Sequence, residues 1–466
     1  MGRGGAGAPQ TLVNQCVDWV KARIDTQVLR PGACLPSIRR MAGMREVSPF
    51  TVAEAYARLV ASGEIEARRG SGFYVRQRIG RANLAPRAVG SRIELSWLIS
   101  HMLDSATARG PGLGVLPASW LHTEQIGAAL RAVGRQSSRH WYGSATARGF
   151  APLLALLQQR LADLNILAQP EQLLLTTGTT HALDLVLRAL VRPDDPVLTL
   201  APCWFGALGM LEVHRARVLG VPCTPAGPDL EALENLVRLE KPRLLIISSA
   251  AHNPTGLSLT QAAVVRIVAM ANQHGFAIFE DDVYADLCDS STMRLAAADE
   301  LKQVIYAGSF SKTLASNIRV GFVACRAGLA QAISTVKVLS GFTTPEINER
   351  IVHKILIEGH YKKHVAMLRA RLEKHRQRTS RLLADAGAEI FGGTAEGMFL
   401  WANMRTDTDA LAIAGRAQDL LLAPGSLFST HQTPTHWMRV NVTCPTEELM
   451  SCLRLMQRAP DSGHTS

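Results

Sequence analysis

Several common features are missing from this sequence, and each absence narrows the class of protein. No uncharged apolar stretch reaches the roughly 18 residues that a membrane-spanning helix needs. Residues 1–9 are rich in glycine and alanine, lack the apolar core of a signal peptide and predict a disordered tail. These absences predict a cytoplasmic protein without a membrane anchor.

Metal and disulfide chemistry also have little support. The 14 histidines include no His-x-x-x-His pair accompanied by an acid on a predicted helix, so no metal site is predicted. The eight cysteines form no Cys-x-x-Cys pair and no metal-like spacing with histidine, as expected in a reducing compartment. They are Cys16, Cys34, Cys203, Cys223, Cys288, Cys325, Cys444 and Cys452.

The chain does have length, apolar content and an uneven positive charge. Its 466 residues are too many for one ordinary core, and 47% of them are hydrophobic, so two or three packed domains are expected. The net charge is +11, and residues 10–78 contribute eleven basic minus six acidic side chains, or +5. A basic N-terminal module favours a polyanionic partner, although a basic surface that only aids solubility is the alternative.

Residues 10–78 have the pattern of three short helices and a hairpin. Apolar residues recur at helical spacing from Leu12 to Ile24, and Pro31-Gly32 then predicts a turn. Ser37 and Ser48 are suitable N-caps, and Pro49 suits the first helical position. Two alternating runs around Arg68-Arg69-Gly70-Ser71-Gly72 predict a basic β-hairpin. The pattern predicts an α+β winged helix-turn-helix, followed by a linker at residues 79–95.

This module resembles the GntR family of transcriptional regulators. The resemblance rests on Pro31-Gly32, Leu35-Pro36-Ser37-x-Arg39, Val47-Ser48, Thr51-Val52-x-x-Ala55-Tyr56-x-x-Leu59, Gly63 and Gly70-Ser71-Gly72-Phe73-Tyr74-Val75. It implies that the helix after Ser48 enters the major groove of DNA while the hairpin contacts the neighbouring backbone. The implied DNA contacts are Arg39, Ser48, Thr51, Arg69 and Gly70. One departure from the family is Pro49, which stands where the family often has arginine. The alternative function for this module is a winged helix used only for protein contacts.

In residues 96–466, the segment Ser309-Phe310-Ser311-Lys312-Thr313 is the most informative. It places one lysine among small hydroxyls, and Arg319 follows seven residues later. Pyridoxal phosphate (PLP) requires an amine for a Schiff base, together with hydroxyls and a guanidinium for its phosphate. By itself the segment is only suggestive, because most lysines are solvated surface charges.

Further polar residues follow predicted strands upstream. A strand from Leu173 leads into Gly178-Thr179-Thr180 and a helix, which is the geometry of an anion site. Trp204 and Asn253 follow two later strands, although core packing and a tight turn are the ordinary explanations. Another strand ends at Glu280-Asp281-Asp282-Val283-Tyr284, where buried acids need a cationic partner. Strands that alternate with helices predict an α/β domain that binds its ligand at the carboxyl ends of the strands.

Residues 96–455 resemble the fold-type I PLP enzymes of the aspartate aminotransferase superfamily. The resemblance implies that Lys312 forms the Schiff base, that Asp281 holds the pyridine nitrogen protonated, and that Trp204 stacks on the ring. It implies that Tyr284 and Asn253 bind the ring 3-oxygen, and that Arg439 grips an effector or substrate carboxylate. The implied phosphate ligands are Gly178, Thr179, Thr180, Ser309, Ser311 and Arg319, with Tyr142 reaching the phosphate of the neighbouring subunit.

The two resemblances together are similar to the MocR subfamily of GntR-type regulators. That subfamily implies a head-to-tail homodimer, a double-stranded DNA operator, and an amino compound or PLP itself sensed through an internal aldimine at Lys312. A working aminotransferase that carries a DNA-binding module is the alternative, and a DNA-binding scaffold with an inactive large domain is a third hypothesis. The basic run from Tyr361 to Arg381 is predicted to be the solvated face of a helix, with a second DNA-contacting surface as the alternative.

Overall fold

The computed structural model describes residues 11–25, 29, 32–68, 71–75, 109–121, 123–136, 145–288, 291–393 and 396–458. The chain divides into two compact units, residues 1–91 and residues 92–466. The predicted linker at residues 79–95 lies outside the described residues.

The first unit consists of three helices and a two-stranded hairpin. They are α1 (Leu12–Asp25), α2 (Ile38–Arg45), α3 (Pro49–Ala61), β1 (Ile65–Arg68) and β2 (Gly72–Val75). Ser48 caps α3, since its Oγ accepts from the Thr51 amide at 3.1 Å, and Pro49 occupies the first turn where an amide hydrogen is not needed. Val20, Val52 and Tyr56 are among the fully buried residues that join the helices. The predicted winged helix-turn-helix is confirmed.

An eight-stranded sheet forms the centre of the second unit, in the order β3-β10-β9-β8-β7-β4-β5-β6. Strands β4, β5, β7, β8 and β9 are parallel, whereas β10 runs antiparallel to both of its neighbours. The bounds are β3 (Leu173–Thr176), β4 (Pro196–Ala201), β5 (Arg217–Thr224), β6 (Gly227–Pro228), β7 (Leu244–Ile247), β8 (Ala277–Asp281), β9 (Val304–Ser309) and β10 (Gly321–Ala324).

Helices cover both faces of this sheet. Leu173 and Leu175 of β3 belong to one buried cluster and Leu174 belongs to another, because successive side chains of a strand point to opposite faces. The helices are α4 (Thr123–Gly134), α5 (Ala151–Ala162), α6 (Thr179–Leu190), α7 (Phe205–Val213), α8 (Leu230–Glu240), α9 (Gln261–His274), α10 (Leu295–Asp299), α11 (Ala327–Gly341) and α12 (Glu346–Ile357).

The remainder of the second unit adds a long helix and a small antiparallel sheet. Helix α13 (His360–Asp385) precedes β11 (Glu389–Ile390), β12 (Phe399–Asn403), α14 (Thr408–Arg416), β13 (Ala423–Pro424), β14 (Trp437–Asn441) and α15 (Thr446–Arg458). The order of the small sheet is β11-β12-β14-β13. On α13, Leu368 and Leu372 are buried while Lys363 and Lys374 are exposed, as expected for a solvated helix face. Contact of this face with DNA stays a prediction.

Candidate functional site

Lys312 lies just beyond the end of β9 and is only partly exposed. Its Nζ donates a 2.7 Å hydrogen bond to the carbonyl of Gly114 and lies 5.9 Å from the centre of the Tyr284 ring. Burial, and next the positive charge of Arg439, lower the pKa of this amine to about 8, while Asp281 opposes the shift. A larger fraction of this amine is therefore uncharged near neutral pH than for a surface lysine, which is what attack on a carbonyl requires.

Asp281 ends β8 and is close enough to Lys312 for their charges to interact. Burial raises the pKa of its carboxyl to about 7, against the effect of hydrogen bonds from Val283 and Thr179 and of the charge on Lys312. A raised pKa means that burial disfavours the charged carboxylate unless a cation lies beside it. A protonated ring nitrogen would provide that partner.

The two acids beside Asp281 are occupied within the fold. Glu280 accepts from the amides of Leu295 and Ala296 at the start of α10, at 3.0 and 2.8 Å. Asp282 forms a fully buried ion pair with Arg294 at 2.6 Å. These two acids therefore have partners within the fold, whereas the pKa of Asp281 is affected by the charge of Lys312.

Arg439 on β14 is the third charged group of the site, and only 1% of its surface is exposed. Its Nη1 donates to Oδ1 of Asn253 at 3.1 Å and its Nη2 to the carbonyl of Gly112 at 2.7 Å. Its guanidinium also lies over the ring of Phe399, 4.3 Å from the centre. Among the described residues no carboxylate pairs with Arg439, and its buried Nε has no hydrogen-bond partner.

The amide of Asn253 connects Arg439 to Tyr284. Nδ2 of Asn253 donates to the phenol oxygen of Tyr284 at 3.5 Å, and burial raises the pKa of that phenol above its ordinary value. Three residues that lie far apart in the chain therefore form one polar arc. A buried cation without an anion is costly, so the arc is suited to receive an acid from a ligand.

A glycine-rich segment contacts both Lys312 and Arg439, and the sequence does not predict its role. Carbonyls of Gly112 and Gly114 accept from Arg439 and Lys312, as described above. The segment is fixed by Nδ2 of Asn441, which donates to the carbonyls of Leu113 and Val115 at 2.9 and 3.0 Å. Its signal in the sequence is Gly110-Pro111-Gly112-Leu113-Gly114, although carbonyl positions follow from the fold and not from side chains.

A polar cradle lies where β3, α6 and the segment after β9 meet. Nη2 of Arg319 donates to the carbonyl of Thr177 at 2.6 Å, and its Nη1 to Oγ of Ser311 at 3.2 Å. Oγ of Ser311 in turn accepts from Oγ of Ser309 at 3.0 Å. Gly178 has a φ of +88°, and a Cβ there would lie 2.8 Å from Nη2 of Arg319. Only glycine therefore leaves room for the guanidinium.

The first turn of α6 points its amides toward this cradle. Thr179 is buried and Thr180 is exposed, and both lie in that first turn. A helix of twelve residues has free amide groups and a positive dipole end at this position. Hydroxyls, a guanidinium and a helix N-terminus together fit a phosphate dianion.

The remaining expected cofactor residue, Trp204, is placed at the N-cap of α7. Its ring packs so closely over Gly206 that a Cβ there would lie 2.3 Å from the indole. The ring of Phe205, the next residue, is 5.5 Å from the guanidinium of Arg439, so Trp204 lies in the neighbourhood of Arg439. Tyr142 lies outside the described residues.

In the first unit, three of the expected DNA contacts lie on α2 or at the start of α3. Arg39 is exposed on α2, and the hydroxyls of Ser48 and Thr51 are 2.8 Å apart at the start of α3. The structure thus brings Ser48 and Thr51 together. Arg69 and Gly70, which the resemblance places in the hairpin turn, lie outside the described residues.

Two further observations concern metal sites and membrane-spanning helices. In the part of the chain that the structure describes, no group of histidine, cysteine and acidic side chains could hold a metal ion. Within the same residues, no helix is both long and apolar enough to cross a membrane.

Fold and site together define a winged-helix unit joined to a fold-type I aminotransferase-like unit. The model of the aminotransferase class I and II family matches residues 115–454, and that of the bacterial regulatory proteins of the gntR family matches residues 12–75. The chain therefore belongs to the class I and II aminotransferase family and, with its GntR domain, to the MocR subfamily of GntR-type transcriptional regulators. The folds of this family are those of PLP-dependent enzymes, and PLP is the cofactor that fits the residues described above.

The similar proteins include both a transcriptional regulator and aminotransferases. The uncharacterized HTH-type transcriptional regulator YdcR of Escherichia coli is 28% identical, over 92% of this chain and 94% of its own length. The 2-aminoadipate transaminase of Thermus thermophilus is 30% identical, over 74% of this chain and 88% of that protein. Pyrococcus horikoshii kynurenine aminotransferase has a similar fold, with a TM-score of 0.73 and 21% identity over 80% of this chain and 96% of its own.

Proposed function

We propose that this protein is a cytoplasmic, PLP-dependent regulator that binds a double-stranded DNA operator and senses an amino compound, or PLP itself, through Lys312. The observation that carries the proposal is the buried guanidinium of Arg439, which lacks an acid and lies close enough to Lys312 to lower the pKa of its amine. An amine beside a carboxylate receptor suits a ligand that has both groups. The winged helix in the same chain would bind the DNA whose affinity the ligand changes.

PLP contributes an aldehyde that condenses with amines and a ring that accepts electrons. The residues of this chain determine how it is held. Lys312 would supply the amine, Asp281 the charge for the ring nitrogen, and Tyr284 with Asn253 the hydrogen bonds to the ring oxygen. The residues that would hold the phosphate are Gly178, Thr179, Thr180, Ser309, Ser311 and Arg319, and Trp204 would pack against the ring.

The effector that fits Arg439 has a carboxylate. Bidentate pairing with a carboxylate would satisfy the guanidinium, and it would replace the hydrogen bond that Arg439 now gives to Gly112. Release of Gly112, and of Gly114 by Lys312, loosens the glycine-rich segment. This local change is the step by which ligand binding alters the equilibrium between two states of the protein.

A head-to-tail homodimer completes the proposal. Tyr142 would reach the phosphate of the neighbouring subunit, so that the cofactor site would need both copies. Two winged helices in one dimer would bind paired half-sites, and their tethering would raise affinity by effective concentration.

Active transamination is the second candidate function. Lys312, Asp281 and Arg439 are the side chains that such a reaction would need, and one relative is named 2-aminoadipate transaminase. Regulation and turnover would then share one cofactor.

An absorbance titration of the purified protein with PLP, followed by amino acids and amines, tests the proposal in parallel with gel shifts on a bound DNA fragment. We expect a visible Schiff-base band that one amine alters together with DNA retention. Rapid conversion to the pyridoxamine form with unchanged DNA binding would establish an aminotransferase instead. Absence of any PLP spectrum would overturn both candidates.

A further inference from the structure

The solvent face of α3 carries an apolar strip beside its charged residues Glu54 and Arg58. Phe50 is 81% exposed, and Ala53 and Ala57 follow it at i+3 and i+7 on the same face. The opposite face, with Val52, Tyr56 and Leu59, is fully buried in the domain core. Phe50, Ala53 and Ala57 are called the apolar ridge below.

The polar side chains beside the ridge are bonded to one another. Arg58 pairs with Glu54 at 3.1 Å and also donates to Oδ1 of Asn14 at 3.1 Å. At the N-terminus of α3, the hydroxyls of Ser48 and Thr51 share a hydrogen bond, and Pro49 has no polar side chain. At the start of this helix, Phe50 therefore presents an aromatic ring and not a hydrogen-bonding group to solvent.

An exposed phenylalanine does not stabilise the unit. Within its core, Tyr56 and Phe73 pack edge to face with centroids 4.9 Å apart, whereas Phe50 takes no part in that core. Ser48 and Pro49 fix the start of the helix, so the position of the ring is set by a rigid first turn. Burial of this ring therefore requires a partner.

The charge around the ridge favours DNA over protein as that partner. Arg39, Arg40 and Arg45 on α2 are exposed, and none of them makes a side-chain ion pair with another of the described residues. Exposed cations on the helix that precedes the apolar ridge suit a duplex, where phosphates border the grooves and the 5-methyl group of thymine projects into the major groove. Alanines at the next two positions of the ridge would allow the helix to approach the base edges closely.

We infer that the apolar ridge recognises thymine in the operator, with Phe50 covering the 5-methyl group. This inference rests on the proposed DNA-binding function and adds the chemical basis of its sequence preference. Phenylalanine and alanine both make apolar contact with that methyl, and the contact distinguishes thymine from uracil, which has the same hydrogen-bonding groups. Operator specificity then depends on methyl groups more than on hydrogen bonds from α3.

Uracil substitution tests the inference with the full-length protein. A bound duplex is first selected from random-sequence DNA, and each thymine of a half-site is then replaced by deoxyuridine, one at a time. At one or two positions we expect the Kd to rise about fourfold for the lost methyl. Phe50→Ala should bind the thymine duplex more weakly and should lose most of this discrimination, while Phe50→Leu should keep part of it.

Leu12→Ala provides the matched control, since Leu12 is also an exposed apolar residue of this unit, at 54%. It should leave the ratio of the uracil and thymine Kd values unchanged. A wild-type protein that selects no sequence would overturn the DNA-binding proposal itself. A selected duplex that is insensitive to uracil, or discrimination that persists in Phe50→Ala, would overturn the inference alone. Altered oligomeric state in Phe50→Ala with unchanged discrimination would assign the ridge to a protein contact and overturn it too.

Discussion

Nζ of Lys312 donates a 2.7 Å hydrogen bond to the backbone carbonyl of Gly114, which lies 198 residues earlier in the chain. Gly112, two residues from Gly114, accepts from Arg439 in the same way. One short segment therefore contacts both the amine and the guanidinium of the site. Cofactor and effector each need one of these groups, so their binding competes with the same segment.

Replacement of Lys312 should abolish covalent attachment of PLP. In Lys312→Ala we expect no visible Schiff-base band and no PLP-modified peptide after borohydride reduction. Lys337 gives an internal control, because burial also lowers the pKa of its amine to about 8. Its Nζ is saturated by the carbonyls of Ala147 and Leu175 and by Oγ1 of Thr344, so it should stay unmodified in both proteins. Modification of Lys337, or an unchanged spectrum, would contradict the assignment of Lys312.

The rate of PLP capture should follow the ionisation of Lys312. Only the neutral amine attacks the aldehyde, so capture should accelerate as pH rises through about 8. Arg439→Met removes a positive charge that lowers this pKa, and the midpoint should move to higher pH. Asp281→Asn removes a negative charge that raises it, and the midpoint should move to lower pH. Stopped-flow absorbance would detect the shifts, and the same direction in both variants would contradict the electrostatic explanation.

Asp281 should also affect the stability of the apoprotein. Burial raises the pKa of this carboxyl from 3.8 to about 7, so the fold favours its protonated form. That contribution to the free energy of unfolding is fully present below about pH 4 and is lost as pH rises through 7. Asp281→Asn should therefore reduce the fall in Tm between pH 5 and 7. Glu280 has a pKa that burial also raises to about 7, so part of the fall should remain. An unchanged slope would show that Asp281 ionises without cost.

Much of the fold could be predicted because its signals are local. Strands β3, β4, β7, β8 and β9 are short apolar runs followed by polar turns, and the caps at Ser37 and Ser48 lie next to the helices that they begin. The sequence indicates β10 only as an apolar run, since its antiparallel pairing with β3 and β9 depends on residues distant in the chain. The small sheet that includes β14 is not predicted, for the same reason.

The site was predictable only in part. Lys312, Asp281 and Arg439 could be predicted as site residues from the chemistry of their side chains. The fold brings them close enough for the charges of Asp281 and Arg439 to affect the pKa of Lys312. By contrast, Gly112 and Gly114 contribute backbone carbonyls, and Asn441 acts by fixing that backbone. Such roles follow from tertiary geometry, and the residue type alone does not indicate them.

The phosphate cradle should depend on the absence of a side chain at Gly178. Gly178→Ala places a Cβ 2.8 Å from Nη2 of Arg319 and forces a positive φ on alanine. We expect weaker binding of PLP with little change for pyridoxal, which has no phosphate. Gly275→Ala is the control, because Gly275 has a φ of +74° but nothing within 4 Å of its Cβ position. Equal losses for both ligands in Gly178→Ala would indicate a general structural defect and not a damaged phosphate site.

Arg39 should contribute to DNA affinity and not to cofactor binding. An exposed arginine on α2 is placed to neutralise a phosphate, and removal of one such contact reduces the slope of log K against log salt by about 0.9. Arg39→Ala should therefore weaken binding of the selected duplex, most strongly at low salt, while the PLP spectrum stays unchanged. Arg131→Ala removes the same charge from an exposed position on α4 of the other unit, and it should alter neither property. Gel shifts across a salt series measure the slope. Parallel loss of DNA and PLP binding in Arg39→Ala would indicate misfolding, and an unchanged slope would remove Arg39 from the interface.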